Sequence, residues 1–184
     1  MSYSQGFTTS LLGGLNISQL EGDNLSGFNK PGFHAGMRTS YALKEKQGLS
    51  LEFLFQQKGS SSSLSLGSPG SDERITLSYL SLPIQYYLNE WQDESGYYIF
   101  RIEGGIVLNY LMDVSSTNSF FDGAIDQFSE FDAGISVGLA YSFTRSLAAN
   151  IRFERSLLKI YEDPVSNLRG LQSYLLTFRL EYAL

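Results

Sequence analysis

The sequence contains no cysteine, so disulfides, thiolate metal sites and cysteine nucleophiles are excluded together. Charged residues make up only 17% of the 184, low for a soluble surface. No stretch approaches the ~18 consecutive apolar residues of a membrane helix, so a helical membrane protein is excluded. The net charge is −6 and no basic cluster offsets it, which leaves no electrostatic footprint for nucleic acid. The opening MSYSQGFTTS has no basic segment followed by an apolar one, so an export signal is expected to have been removed ahead of this chain.

What is present favours strands. Hydrophobic residues reach 42% and aromatics 14%, with 12 Tyr, 13 Phe and 18 Gly. The length fits one domain, 1–184. Alternation and turn signals predict eight strands, at about 5–17, 31–43, 47–58, 74–89, 96–111, 131–143, 146–156 and 171–184. Several match the ~9 to 11 residues needed to cross a bilayer at a tilt. Long connections follow strands one, three, five and seven, and short ones follow two, four and six. That asymmetry is the pattern of an all-β, antiparallel, up-and-down transmembrane barrel with outer loops and periplasmic turns, expected as a monomer.

One face of each strand is apolar. On the sixth, Ala133, Ile135, Val137, Leu139, Tyr141 and Phe143 oppose Asp132, Gly134, Ser136, Gly138, Ala140 and Ser142. The same parity puts Arg38, Glu52, Arg101, Glu103, Arg152, Glu154, Arg179 and Glu181 on the polar face, four Arg against four Glu. A soluble carrier barrel would turn its apolar face inward and need a charged exterior. The charges instead suit a narrow, side-chain-filled interior in which they neutralise one another in one or two layers across its lower middle. Arg38 and Glu52 lie symmetrically about Glu45, so a hairpin would set them opposite each other. The small residues of the sixth strand leave room for their long side chains.

Aromatics fall near both ends. Tyr41, Tyr86, Tyr97, Tyr98, Tyr141, Phe143 and Tyr182 lie toward the short turns, and Phe33, Phe55, Tyr110, Phe131 and Tyr174 toward the long loops. Two interfacial girdles are expected.

The stretch GGLNISQLEGDNLSGFNKPGFHAGM at 13–37, LSLEFLFQQKGS at 49–60 and YLSLPIQYYL at 79–88 together resemble the PorT-like outer-membrane β-barrel family of Bacteroidetes-type bacteria. The resemblance implies an outer-membrane location and an up-and-down barrel. It does not imply one activity, although the namesake is associated with type IX secretion. The C-terminus TFRLEYAL ends in Leu184 where many barrels end in an aromatic residue.

Candidate chemistry is sparse. His34 is expected at the loop rim, and a lipid-modifying hydrolase would need a serine within its reach and a group orienting the imidazole. Asp113, Asp122, Asp126, Glu130 and Asp132 form an acidic third loop with no basic residue. Carboxylates there could bridge through divalent cations to lipopolysaccharide, but no calcium-loop spacing is present. GGLN and EGG lack the strand-to-helix context of phosphate loops. The sequence points to no cofactor and no catalytic residue. The expected role is a closed, non-enzymatic barrel acting in membrane organisation, in surface binding or beside secretion or assembly machinery. The alternatives are the lipid-modifying enzyme and a lipocalin-like carrier of an apolar ligand.

Overall fold

The computed structural model describes residues 6–21, 30–61, 74–116, 128–160 and 172–184. It contains β1 (Phe7–Glu21), β2 (Lys30–Lys44), β3 (Gln47–Ser61), β4 (Arg74–Gln92), β5 (Tyr98–Ser116), β6 (Phe131–Ser142), β7 (Leu147–Ser156) and β8 (Gln172–Ala183). Each strand pairs antiparallel with its neighbours in sequence. β8 returns to β1, from Ser10 opposite Ala183 to Glu21 opposite Gln172, and closes the barrel.

Several strands run further toward the long-loop end than alternation predicts. The expected 5–17 is Phe7–Glu21, 47–58 is Gln47–Ser61 and 96–111 is Tyr98–Ser116. Their extensions are largely Ser, Gln, Gly and Asp, so the apolar period fades there. The backbone ladder, which satisfies N–H and C=O groups whatever the side chains, continues.

The opposite end is made of tight turns. Between β4 and β5, Gly96 donates its N–H to the Asp93 carbonyl at 2.9 Å and takes φ of +84°, which glycine adopts without a Cβ clash. The Ser95 N–H donates to the Asp93 carboxylate at 2.9 Å, and the hydrogen bonds from Ser95 hold that carboxyl below its ordinary pKa. Between β6 and β7, the Thr144 hydroxyl accepts from the N–H groups of Ser146 and Leu147 at 3.2 and 3.0 Å.

The outward face is apolar. Leu11, Phe53, Ile102, Ile106, Val137, Ile151 and Leu180 are between 41% and 57% exposed, a belt that water would not tolerate at this extent. Aromatic pairs mark its edges. Trp91–Phe100, Phe100–Tyr141 and Tyr141–Phe143, with ring centres 5.0 to 5.2 Å apart, line the short-turn end. Phe33–Phe55 and Tyr110–Phe131, at 5.6 and 5.2 Å, line the loop end. The inward face is mainly polar, the reverse of a soluble carrier of apolar ligands.

The main apolar cluster inside sits at the loop end, where Ile75, Leu77 and Tyr79 of β4 meet Phe128 and Ile160. The segments bearing Phe128 and Ile160 are drawn over the barrel by backbone bonds. Leu111 N–H donates to the Glu130 carbonyl at 2.7 Å and Ser129 N–H to the Ile160 carbonyl at 2.9 Å. A register shift at Ser78 and Tyr79 lets Leu111 and Val114 of β5 both pack against the cluster.

Candidate functional site

The β2–β3 turn at Glu45 and Lys46 sets Arg38 directly opposite Glu52. Both side chains are fully buried and project inward, 3.5 Å apart. A guanidinium and a carboxylate at that depth need further partners, and the other strands supply them.

Glu52 accepts two forks: Arg152 Nη1 and Nη2 at 2.8 Å each, and Arg179 Nη1 and Nη2 at 2.8 and 3.0 Å. Bidentate pairs of this kind fix direction as well as charge. Glu103 of β5 is the second hub. It accepts from Arg38 Nη1 at 2.8 Å, Arg152 Nε at 3.1 Å, Arg179 Nη2 at 3.2 Å and Asn150 Nδ2 at 3.0 Å. Arg101 bonds Glu181, and its Nε lies 3.4 Å from Glu103. β6 makes room for this hub: a Cβ on Gly138 would stand 3.1 Å from Glu103 Oε1. Seven charged side chains therefore form one layer, four Arg and three carboxylates.

The eighth expected member, Glu154, is elsewhere. It pairs with Lys58 and accepts from Gln56 Nε2 at 3.4 Å and Asn109 Nδ2 at 3.3 Å. Asp132 joins this second layer, with Asn109 Nδ2 at 3.2 Å, the Ser156 hydroxyl donating to it and Lys58 Nζ at 4.0 Å. Ser81 donates to Asn109 Oδ1 at 2.6 Å, and Lys58 lies over the Tyr79 ring at 5.2 Å. The reason for the split is spacing. Arg152 and Glu154 both point inward, but Glu154 stands ~6.6 Å further toward the loops, within reach of Gln56, Lys58 and Asn109, whereas the long Arg152 side chain reaches Glu52 and Glu103.

The lower layer thus carries four positive charges against three negative, and the upper one positive against two negative. The two together are neutral, five against five.

Two expected placements are corrected. His34 is not at the rim: it is 2% exposed, because β2 continues above it to Lys30 with β1 and β3 paired alongside. Neither of its ring nitrogens has a hydrogen-bond partner among the described residues, so no serine activates against it there. Asp132 belongs to the interior rather than to a loop surface, at 3% exposure. Asp113 and Glu130 are exposed, and Asp122 and Asp126 lie outside the described residues.

Sequence reasoning missed Lys58 and Asn109. Lys58 stands two residues past Gln56, on the same parity as Glu52, so the inward face of β3 carried its signal to the last expected residue. Asn109 carries no charge to single it out, and its partners come from β4, β6 and β7, which no local pattern brings together.

The closed barrel is similar to solved outer-membrane barrels. Against Ail, the attachment invasion locus protein of Yersinia pestis, solved in complex with the heparin analogue sucrose octasulfate, the TM-score is 0.54 at 10% identity. That likeness covers 98% of this chain and 99% of the other. Neisserial surface protein A gives a TM-score of 0.55 at 12% identity, covering 97% of this chain and 99% of that one. No curated protein matches the sequence. Residues 3–162 match the family described as the outer membrane protein beta-barrel domain. With its closed eight-stranded barrel, apolar outer belt and neutralised ionic interior, this chain belongs to that family and resides in the outer membrane.

Proposed function

We propose that this barrel is closed to solutes and non-enzymatic, and that it acts from its outer loops and its lipid-facing wall. The observation that carries this reading is the lower ionic layer. Arg38, Glu52 and Glu103 are 0 to 1% exposed and hydrogen-bonded across the full bore, at the depth where a pore would need water. An eight-stranded barrel is only wide enough for its own side chains, so no path remains beside them.

The partner is then met outside. Over 22–29, 62–73, 117–130 and 157–171 the sequence carries six net negative charges. Such loops repel polyanions and favour a cationic partner, or lipopolysaccharide bridged through divalent cations. This separates the chain from Ail, solved with a heparin analogue bound, although the two share a fold. Within that frame the roles are membrane organisation, surface binding, or an accessory part in secretion or assembly. The last follows the PorT-like resemblance of residues 13–37, 49–60 and 79–88. A lipid-modifying hydrolase would require a nucleophile beside His34, and the described residues offer none.

The test is conductance. Refolded protein added to a planar lipid bilayer should give no steps above baseline at neutral pH. Discrete, reproducible channels from the wild-type chain would end this reading.

A further inference from the structure

Arg155 is out of place. The outward positions of β6, β7 and β8 from Ala133 to Leu184 are apolar or aromatic apart from Gln172 and this one arginine. It is exposed, faces Tyr174 of β8 and Ile135 of β6 in the ladder, and holds its guanidinium 5.3 Å from the Tyr174 ring centre. Phe153, the next outward residue below, lies 6.2 Å from the same ring. Among the described residues no carboxylate pairs with Arg155, although the interior arginines are heavily paired. Stacking on Tyr174 leaves its N–H donors free at the outer edge of the belt.

Below it, on the same wall, the belt is dented. A groove of about 580 Å³ lies among Gly13, Leu15, Tyr141, Ala149, Ile151 and Leu180. Its floor is the row Gly13–Leu180–Ala149–Tyr141 across β1, β8, β7 and β6. Gly13 is not required by crowding: a Cβ there would meet nothing within 4 Å, whereas one on Gly14 would stand 2.2 Å from the Phe178 carbonyl. Gly13 and Ala149 open space between the large outward side chains of Leu11 and Leu15 on β1 and of Leu147 and Ile151 on β7.

The depths agree. Ile151 is four residues below Arg155, about 13 Å along the strand at ~3.3 Å per residue, or roughly 10 Å of depth at a tilt of ~40°. The apolar band of such barrels is about 25 Å tall, so one leaflet spans about 12 Å. An acyl chain hung from a headgroup at Arg155 reaches the mouth of the groove.

We propose that Arg155 and the Gly13–Ala149 groove form one site for an outer-leaflet lipid, the guanidinium binding a headgroup phosphate and the groove taking an acyl chain. Charge complementarity selects this occupant over a neutral one: a fork of N–H donors at the interface matches phosphate oxygens. The inference rests on the outer-membrane placement of the barrel and not on the choice among its functions.

The test uses the refolded chain in a neutral detergent, with phosphatidylglycerol as the probe and native mass spectrometry counting retained lipid. Diacylglycerol of the same chains and excess inorganic phosphate are the controls. Wild-type barrel should retain phosphatidylglycerol over diacylglycerol, and inorganic phosphate should not displace it. Arg155→Gln should weaken retention about tenfold, the size of one charged hydrogen bond. Arg155→Lys should fall between, and Ala149→Phe, which fills the groove, should weaken retention with the charge intact. Equal retention by Arg155→Gln and wild type, equal binding of diacylglycerol, or displacement by inorganic phosphate would each overturn the proposal. All variants should keep a heat-modifiable gel mobility. A wild-type chain lacking that mobility would count against the barrel itself, and a variant lacking it would contradict the lipid-facing placement of the substituted side chain.

Discussion

Glu52→Gln is the perturbation that probes the interior most sharply. Glu52 accepts four hydrogen bonds from Arg152 and Arg179 and lies 3.5 Å from Arg38. The substitution is nearly isosteric, so packing is retained while one negative charge is lost. The lower layer passes from four positive and three negative charges to four and two. One carboxylate oxygen also becomes an NH₂ group facing guanidinium donors. Breaking one partner of a buried ion pair costs about 3–5 kcal/mol, a large part of the ~5–15 kcal/mol that holds a domain folded. Removing an arginine should cost less, because the layer has one to spare and Glu52 keeps its Arg152 fork. Arg179→Gln is expected to lose about half as much as Glu52→Gln, and the double variant less than the sum of the two. The assay is urea unfolding in lipid vesicles, followed by gel mobility and by the fluorescence of Trp91. A Glu52→Gln variant within about 0.5 kcal/mol of wild type, or an Arg179→Gln variant that costs more than it, would refute the charge accounting.

Other outcomes follow from the same geometry. Lys58→Met leaves Glu154 and Asp132 facing each other without a cation, and should destabilise the barrel by about 3 kcal/mol in the same unfolding assay. Gly138→Leu drives a side chain into the space of Glu103 and should cost about 1–3 kcal/mol, whereas Gly13→Leu, outward with open space, should unfold at nearly the wild-type urea concentration. Val137→Arg, outward in the middle of β6, should cost about 2–4 kcal/mol in bilayers.

Much of this architecture was legible because period-two alternation reports which face a residue occupies. It put Glu52, Glu103 and Arg152 on one face, and the hairpin symmetry about Glu45 set Arg38 opposite Glu52, as the ladder has it. Alternation does not report depth. Whether Glu154 meets arginines or Lys58 depends on the register of every strand pair around the barrel, including the shift at Ser78 and Tyr79, and no local pattern encodes that sum. For the same reason His34 is expected at a rim that the neighbours of β2 carry higher: β1 runs to Glu21 and β3 to Ser61, past the 17 and 58 that alternation predicts. Asp132 was read twice, as a loop acid and as an inward residue, and only its contacts with Asn109 and Ser156 decide between the two. The apolar cap was not legible at all, since Phe128 and Ile160 come from segments outside the main strands and owe their positions to backbone bonds.

The central claim is that the apolar faces meet lipid while the charged faces fill a closed interior. The absence of native cysteine allows single spin labels at successive positions of β6, Ile135, Ser136, Val137, Leu139 and Ala140, in lipid vesicles. Collision rates with oxygen, which concentrates in the bilayer, should peak at 135, 137 and 139. At 136 and 140 both oxygen and a water-soluble nickel complex should be nearly excluded. Oxygen maxima at 136 and 140 would turn the barrel inside out, and strong nickel collisions there would mean a water-filled pore in place of the ionic plug.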